Sequence, residues 1–566
     1  MPVFCKGADM KRFVFALLTL CMLFSVLIPS PVRALDANPT LKIGLFYNLN
    51  ALPAANLQNV TGYGAGYRFG WFDGSSRVFN EVFATGEITL TMLKDKPIYV
   101  GNGNVYYDTM PASSRFSIGP YHLEVSENYA SAGDASSAAD RVKSYGFSAF
   151  PAYVTGVYKV RVGQYMTLQD AEAARASVGN TLGAGVSVCG ASKSCYTVTV
   201  TGTDRILFEF DNGGAGLGIM PVGNGSAPAQ TWFKGYKYYG GFEYLRVNGN
   251  DLTVMNVVSM DQYLRGVIPY EMSPSWPIEA LKAQALCAKA YALKNIGKHG
   301  ASGFDLCNTT DCQVYYGTGS ANATTDRAVD EVSGYCIMYN GRVAETFYHS
   351  SSGGYTEDVK NIWTTDLAYL KAVEDTYLVK TLPYSFSITP AELTRRLRDK
   401  GYALSADVTD LYVSRYSAVG NVLEVTVVLA DGTKLKPFTG DRARTFLNIS
   451  TDDATRIRSH RYTIGTVTGL FANDASMDKP IQEYYAIGSG GNVSSVGASS
   501  ANLKIITGSG VETAQVTNKS FQIKGTGSGH NIGMSQWGAH AMAQKGFTYD
   551  QIIQFYFTGV RVERVE

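Results

Sequence analysis

The hydrophobic and polar positions of the chain change their period several times, and each change predicts a different kind of structure. Residues 38–150 show short apolar alternations such as "LKIGLFYN" and "GEITLTML", interrupted by Gly, Asn and Asp. Alternation at every second residue predicts half-buried strands, and the interruptions predict hairpin turns. We therefore expect a β-rich N-terminal region over 35–150 that carries no catalytic residues.

A helical period first appears in residues 155–212. The segment "YKVRVGQY" predicts a strand, and "DAEAARASV" predicts a helix that begins near Thr167. Two more strands follow, so the order is βαββ. This pattern resembles a SPOR repeat, a small peptidoglycan-binding module, but a generic α+β insertion without a ligand has the same pattern. Cys189 and Cys195 flank a Gly/Ser turn and predict a disulfide at a hairpin tip.

Residues 230–566 combine both periods and predict a mixed α+β domain. Pro277 is expected at the first position of an alanine-rich helix, where its missing N–H costs nothing. One face of this helix carries Ile278, Leu281, Ala285, Ala288 and Ala292. Further helices are expected at 390–400 and after Thr548, which forms a T-x-x-Q capping box with Gln551. The expected fold class is therefore α+β, with several domains.

Composition restricts the partners of the chain. Its 566 residues include 49 Lys+Arg and 48 Asp+Glu, a net charge of +1. Such a balance provides no basic surface of the kind that binds nucleic-acid phosphates, so no nucleic-acid partner is expected. The 59 glycines and 37 tyrosines suit a turn-rich extracellular chain that stacks on neutral polymers.

The N-terminal segment "KRFVFALLTLCMLFSVLIPSPVRA" places two basic residues before an apolar run and a small-residue site. This order predicts a secretory signal peptide over 1–34 that is cleaved after Ala34. An uncleaved membrane anchor is the alternative, although the apolar run is slightly shorter than the ~20 residues of a membrane span. Both alternatives place the protein outside the cytoplasm, either secreted or associated with the cell envelope.

The stretch "GVIPYEMSPSWPIEALKAQALCAKAYALKN", residues 266–295, contains one acidic side chain in apolar company. Pro269, Tyr270, Met272 and Trp276 surround Glu271 in sequence and are expected to exclude water from its carboxyl group. Desolvation raises a carboxyl pKa, and a raised pKa suits a general acid at neutral pH. The alternative is a structural carboxylate that accepts hydrogen bonds from backbone amides.

Four ordered segments resemble the SpoIID/LytB family. They are the Glu271 stretch, "YHSSSGGYTEDVKNIW" at 348–363, "GNVLEVTVVLADG" at 420–432 and "GTGSGHNIGMSQWGAHAMAQKGFTYDQIIQFYF" at 525–557. The resemblance places the catalytic domain of the family at 230–566 and makes the β-rich region at 35–150 the N-terminal region of the same SpoIID-like protein. The SPOR-like module is then an insertion before the catalytic domain. The family commonly has Gly where this chain has Asn531 and Tyr where it has Trp537.

The resemblance implies a lytic transglycosylase that cleaves peptidoglycan glycan strands stripped of their peptides. Such an enzyme works with a single carboxyl group, here Glu271, and leaves 1,6-anhydro-muramic ends. A hydrolase generally needs two carboxyl groups. The alternative implied by the LytB branch is a non-catalytic peptidoglycan-binding protein that enhances a partner amidase. The role is expected in sporulation or in wall remodelling.

The same resemblance implies the substrate-binding residues. They are Trp276, Ser351, Ser352, Gly353, Gly354, His530, Ser535 and Gln536. Glycines in two of these motifs let the backbone approach a ligand, and the serines are expected to form a polar cleft wall. His530 is expected either to contact substrate or take a secondary catalytic role, or to act as a hydrogen-bonded structural imidazole.

Some members of this family hold zinc in the segment that corresponds to "HGASGFDLCNTTDCQVYYG", residues 299–317. The candidate ligands here are His299, Cys307 and Cys312, and two Cys with a His suit a tetrahedral site. Asp311 stands where a His would strengthen this assignment. A disulfide between Cys307 and Cys312, or two free thiols, are the alternatives.

Overall fold

A computed structural model describes residues 35–565 except 75, 226, 450–451, 473–474, 477–484, 488–492, 496–503, 508–509 and 514. The predicted signal peptide at 1–34 lies outside these described residues. Within them, no helix combines the length and the apolar character needed to cross a bilayer. The ten described α-helices are Ala132–Ser144, Leu168–Leu182, Met260–Glu271, Ile278–Lys294, Ala323–Glu331, Val359–Ile362, Pro390–Asp399, Asp441–Thr445, Gln536–Gln544 and Tyr549–Tyr556.

Two large sheets form the N-terminal half. The seven-stranded sheet runs in the order Leu306–Cys307, Thr40–Phe46, Leu252–Ser259, Gly241–Arg246, Leu217–Pro221, Tyr67–Phe72 and Phe79–Thr85. The ten-stranded sheet runs in the order Val186–Gly190, Tyr121–Val125, Val157–Tyr165, Ala149–Val154, Ile206–Asp211, Tyr196–Val200, Thr89–Lys94, Ala54–Asn59, Thr231–Phe233 and Tyr236–Tyr238. A small sheet of Tyr106–Tyr107, Ile98–Val100 and Phe116–Ile118 accompanies them. The β-rich character predicted for 35–150 is therefore present, although the helix Ala132–Ser144 also lies there.

The SPOR-like pattern folds as expected around its helix. The helix Leu168–Leu182 begins after Thr167, whose side chain accepts a hydrogen bond from the Asp170 amide, and it buries Ala171 and Val178. This helix and the helix Ala132–Ser144 cover one face of the first four strands of the ten-stranded sheet. The opposite face of those strands is also covered, because His122, Phe150 and Arg161 are buried there. The SPOR-like unit is thus continuous with the rest of the N-terminal half.

The disulfide predicted between Cys189 and Cys195 is absent, since both residues carry free thiols. The sequence suggested a hairpin because a Gly/Ser turn separates the two cysteines. In the structure the strand Val186–Gly190 pairs with Tyr121–Val125, whereas Tyr196–Val200 pairs with two other strands. The two segments are therefore not the arms of one hairpin.

The core of the C-terminal half forms around two consecutive helices, named here the acid helix (Met260–Glu271) and the alanine helix (Ile278–Lys294). The alanine helix is buried on nearly all sides from Ala280 to Ala292, not only along the predicted face. Its alanines allow neighbouring helices to approach closely. Pro277 occupies the N-cap position, one residue before the predicted position. The tight packing around this helix fixes the position of the acid helix.

A second lobe, residues 384–472 and 515–525, has a separate hydrophobic core. Its strands form two sheets. One sheet contains Tyr384–Ile388, Gln515–Gly525 and Tyr462–Ala472 and also includes the flanking strand Ala475–Ser476. The other sheet contains Val408–Tyr416, Val422–Leu429 and Phe438–Thr439. The helix predicted at 390–400 is present as Pro390–Asp399, and the capping box of Thr548 and Gln551 is formed. The remaining short strands are Tyr335–Tyr339, Arg342–Val343, Arg561–Arg564, Tyr348–His349, Met534–Ser535, Tyr485–Ile487, Val493–Ser495, Lys504–Thr507 and Gly510–Thr513. The described part of the chain is thus a multidomain α+β protein.

Candidate active site

Glu271 lies in a cleft of about 310 Å³ formed by the C-terminal half. The lining residues are Glu271, Tyr291, Thr310, Cys312, Gln313, Val314, Phe347, Tyr348, His349, Ser350, His530 and Gln536. Among the described residues, Glu271 supplies the sole carboxyl group of this lining. It is the last residue of the acid helix rather than part of a loop. The negative end of a helix disfavours a carboxylate and therefore favours the protonated form.

Two side chains donate hydrogen bonds toward the Glu271 carboxyl group. The amide Nε2 of Gln536 lies 3.1 Å from Oε2 of Glu271. The hydroxyl group of Tyr348 also interacts with this carboxyl group. Burial raises the pKa of Glu271 above its ordinary value, while the bonds from Gln536 and Tyr348 oppose that rise. The carboxyl group is thus biased toward the acid form and has donors ready to stabilise its anion.

Tyr348 is held in place by a buried polar network. Nε2 of Gln313 donates to the Tyr348 hydroxyl oxygen at 2.9 Å, and Oε1 of Gln313 accepts from the Tyr263 hydroxyl at 3.0 Å. Because Tyr348 accepts from Gln313, its own proton is free to point to Glu271. Burial raises the pKa of Tyr348 well above its ordinary value, so the hydroxyl keeps that proton. The network therefore fixes both the position and the donor role of Tyr348.

The apolar residues next to Glu271 in sequence are not its neighbours in the cleft lining. Tyr270 is one of the more exposed aromatic residues and packs edge-on against Tyr316. Met272 is buried in the main core. Trp276 packs against Trp537 and His540 rather than against the carboxyl group. Desolvation of Glu271 was correctly predicted, but the groups that line the cleft beside it come from distant segments.

Two buried histidines form part of the cleft wall. Their rings lie 5.4 Å apart, and burial lowers the pKa of His349 to about 4 and that of His530 well below its ordinary value. Nδ1 of His530 accepts a hydrogen bond from the amide of Ile532 at 3.1 Å. Both imidazoles are therefore neutral near pH 7. His530 therefore lines the cleft as a hydrogen-bonded neutral ring, and its contact with substrate stays a prediction.

The glycine loop, residues 525–533, contains four residues with positive φ, which are Gly527, Gly529, Asn531 and Gly533. A side chain at Gly529, where φ is +115°, would meet Cβ of His349 at 2.5 Å. Asn531 has φ of +63°, which explains why Gly or Asn is suitable at this position. Its side-chain amide donates to the carbonyl oxygen of Ser352 at 2.7 Å, and its oxygen accepts from the His460 amide at 3.0 Å. Asn531 therefore joins the glycine loop to two other segments.

The serine loop, residues 350–354, contributes less to the cleft than its sequence suggested. Ser350 lines the cleft, whereas Ser351 and Ser352 are fully buried. Ser351 donates to the carbonyl oxygen of Lys380, and Ser352 donates to Asp375 at 2.7 Å. Gly353 and Gly354 lie outside the cleft lining and make left-handed turns. Ser535 is also buried, where it caps the helix Gln536–Gln544 by accepting from the Gly538 amide.

The structure brings together all three predicted metal ligands and adds a fourth. One ligand atom from each of His299, Cys307, Asp311 and Cys312 lies within 4.8 Å of the others. Nε2 of His299 is 3.3 Å from the Cys312 sulfur and 3.4 Å from an Asp311 oxygen. Ligands at ordinary zinc bond lengths in a tetrahedron lie roughly 3.3–3.8 Å apart. The donor set therefore fits zinc, and Cys307 and Cys312 are free thiols in the structure.

Gln313, Tyr348 and His349 were not predicted from the sequence. Tyr348 and His349 directly precede the serine loop, and neither stands near Glu271 in sequence. Gln313 directly follows the candidate ligand Cys312, and this adjacency in sequence could have indicated that Gln313 lies near the site. A metal bound to Cys312 would restrain the segment that positions Gln313 and, through it, Tyr348. The four candidate ligands and Glu271 are therefore linked by one short chain of contacts.

Two family models and several known proteins match parts of this chain. A family model described as Stage II sporulation protein matches residues 248–339, and a SPOR domain model matches 117–187, where we expected 155–212. The chain is 32% identical to the amidase enhancer of Bacillus subtilis over 52% of this chain and 39% of that protein. It is 25% identical to the Stage II sporulation protein D of Bacillus subtilis, over 55% of this chain and 76% of that protein. An uncharacterized protein of Brachyspira hyodysenteriae is 28% identical over 58% and 73% of the respective lengths.

Proposed function

Since the chain belongs to the SpoIID/LytB family and carries a SPOR domain, we propose that it is a cell-wall lytic transglycosylase. Its substrate is the peptidoglycan glycan strand from which the peptides have been removed. Glu271 is the general acid and then the general base. The protein acts outside the cytoplasm, in sporulation or in wall remodelling, and the SPOR domain binds the same polymer.

The single carboxyl group of the cleft carries this proposal. Glycoside hydrolases that follow the usual mechanisms place two carboxyl groups roughly 5–9.5 Å apart around the bond that breaks. Among the described lining residues, Glu271 has no second carboxyl group opposite it. Transglycosylation needs none, because the C6 hydroxyl group of the muramic acid replaces water as the nucleophile. The composition of the cleft therefore favours intramolecular ring closure over hydrolysis.

The contacts of Glu271 support both proton transfers. Its raised pKa keeps the acid form available, so Glu271 protonates the glycosidic oxygen as the C1–O bond breaks. The resulting carboxylate accepts hydrogen bonds from Gln536 and Tyr348. It then removes the proton of the C6 hydroxyl group while that oxygen bonds to C1. Glu271 ends the cycle protonated, and the product carries a 1,6-anhydro ring.

We also propose that His299, Cys307, Asp311 and Cys312 hold a structural zinc ion. When bound, zinc supplies a rigid link between these four ligands and no reacting group. Cys312 lines the cleft and precedes Gln313, which donates to Tyr348. The segment from His299 to Gln313 therefore positions the hydroxyl group that interacts with Glu271. The zinc site supports the geometry of the acid, and proton transfer stays with Glu271.

A digest of denuded glycan strands with the full chain tests the reaction. Mass spectrometry of the products should show 1,6-anhydro-muramic ends, each 18 mass units (~18 Da, one water) lighter than a hydrolysed end. Products with reducing ends only would identify a hydrolase. A Glu271→Gln sample, prepared in parallel, controls for contaminating wall enzymes. Glycan with intact peptides should be cleaved more slowly than the denuded polymer.

A non-catalytic function remains the second candidate, because one relative is named an amidase enhancer. In that case the chain binds peptidoglycan and increases the rate of a partner amidase. The rate of an amidase on intact sacculi, measured with wild type and with Glu271→Gln, separates the candidates. Equal enhancement by both proteins, without anhydro products, identifies an enhancer. Enhancement by wild type alone identifies the transglycosylase.

A further inference from the structure

A second cavity, of about 370 Å³, is lined in part by the glycine loop. Its lining residues are Arg444, Asp453, Arg456, Arg458, Ser528 and Gly529. Three come from the second lobe and carry guanidinium groups, and we name this cavity the arginine pocket. The sequence pattern of 389–463 suggested only packing, so this concentration of positive charge was not predicted.

The charges of the arginine pocket are incompletely neutralised. Arg444 pairs with Asp441 at 2.9 Å, and Arg456 pairs with Asp453 at 3.2 Å. Arg458 is exposed, lies over the ring of Tyr384 and makes no ion pair among the described residues. A stacked guanidinium group keeps its outward N–H donors available for a planar anion. The pocket therefore suits a carboxylate, which a guanidinium group binds through two parallel hydrogen bonds.

The arginine pocket and the Glu271 cleft share one backbone segment. Ser528 and Gly529 line the pocket, and the next residue, His530, lines the cleft. Ser528 also pairs through its backbone with Ser351, which follows the cleft residue Ser350. Arg444 is close enough to lower the pKa of both cleft histidines. The two sites are therefore neighbours that share the glycine loop.

We propose that the arginine pocket binds the lactyl carboxylate of a muramic acid in the strand that occupies the cleft. This inference rests on the proposed function and adds a reason for the choice of denuded strands. Removal of the stem peptide converts each lactyl amide to a free carboxylate, one on every second sugar. An amide carries no charge for Arg458, so a strand with peptides lacks this interaction. Arg458 is thus a specificity-determining residue outside the reacting centre.

Binding to the full chain with Glu271→Gln, which holds glycan without cleaving it, provides the test. The ligands are a denuded octasaccharide of four disaccharide units and the same octasaccharide with its lactyl carboxylates converted to primary amides. The variants add Arg458→Gln or, as a matched control, Arg398→Gln. Arg398 is an exposed arginine of the same lobe that pairs with Asp407 and lies outside the pocket lining. Every variant keeps the SPOR domain, so the contribution of that domain cancels in the comparison.

Arg458→Gln should weaken binding of the denuded octasaccharide by about tenfold, the effect of one hydrogen bond to a charged group. It should leave binding of the amidated ligand unchanged, and Arg398→Gln should change neither. Equal losses with both ligands, or no loss with either, would overturn the proposal. Because binding is measured without turnover, carboxylate-dependent binding in the absence of any anhydro product refutes the proposed reaction but not the pocket. Normal cleavage without dependence on Arg458 refutes the pocket alone.

Discussion

Replacement of Glu271 by Gln separates the catalytic function of this residue from its structural contribution. Gln keeps the size of the side chain and an oxygen that accepts from Gln536 and Tyr348, but it carries no transferable proton. Loss of a general acid–base group typically costs 10²–10⁴-fold in rate. This corresponds to about 3–5 kcal/mol in the activation barrier, with tenfold equal to about 1.4 kcal/mol. Binding of denuded glycan should be unaffected.

The stability of the Glu271→Gln variant has a predictable pH dependence. Burial raises the pKa of Glu271 above its unfolded value, so the folded state holds the proton more tightly than the unfolded chain. The resulting stabilisation is complete below the unfolded pKa of about 4.3 and is lost as the pH rises through the folded value. Gln has no ionised form to bury. The variant should therefore gain stability relative to wild type as the pH increases from 4 to 8.

Two assays on the same samples check this reasoning. Initial rates of anhydro-product formation give the loss of activity, and thermal unfolding at pH 4 and pH 8 gives the difference in stability. Glu331→Gln is the matched control, because Glu331 also ends a helix but is exposed and paired with Lys282. Wild-type turnover by Glu271→Gln would exclude the single-acid mechanism. A variant that is less stable than wild type at pH 8 would show that the carboxylate has a structural function.

Three further outcomes follow from the contacts around the cleft. Tyr348→Phe removes a donor that favours the Glu271 carboxylate, so kcat should fall and the high-pH limb of the kcat/KM profile should move to higher pH. Tyr270→Phe, the control, should leave this profile unchanged. A shift of the limb to lower pH in Tyr348→Phe would contradict the donor role of Tyr348. Cys312→Ser or a strong chelator should remove one bound zinc per chain, as measured by metal analysis, and should lower Tm, as measured by calorimetry. Cys189→Ser, the control, should retain the metal. A wild-type protein that contains no metal and does not respond to the chelator would refute the site. Asn531→Ala should reduce the free energy of unfolding by about 2 kcal/mol or more, because it combines left-handed backbone strain with lost hydrogen bonds. Asn531→Gly should reduce it by less, because only the hydrogen bonds are lost. Equal reductions for both variants in denaturant titrations would exclude the backbone strain.

The burial of Glu271 was predictable from the sequence, because it is one carboxyl group in an apolar stretch. His299, Cys307 and Cys312 were candidates through the family resemblance, and the structure brings them together. The functional importance of Tyr348 was not visible, because it depends on Gln313 approaching from another segment. The contribution of the serine loop to the cleft wall was overestimated, because the sequence of the motif does not reveal that Ser351 and Ser352 are fully buried.

The strand pattern was predictable in kind but not in pairing. Alternating residues correctly indicated strands on both sides of the turn between Cys189 and Cys195. The partners of those strands come from 121–125 on one side and from 89–94 and 206–211 on the other. Pairing between segments so far apart depends on tertiary packing, which a local window does not contain. For the same reason, the arginine pocket was not predictable, because its arginines and the glycine loop are far apart in sequence and meet only in the folded chain.

The continuity of the ten-stranded sheet affects avidity. Domains joined by a flexible linker bind one polymer cooperatively, with an effective concentration set by the length of that linker. Here the strand Ala149–Val154 of the SPOR-like unit is hydrogen-bonded to Ile206–Asp211, and the ladder continues into strands of the N-terminal region. Under the proposed function, the distance between a glycan segment bound by the SPOR domain and one bound at Glu271 is therefore fixed by this continuous sheet. A strand too short to span that distance gains nothing from the second site, so the length of the polymer decides whether the two sites act together.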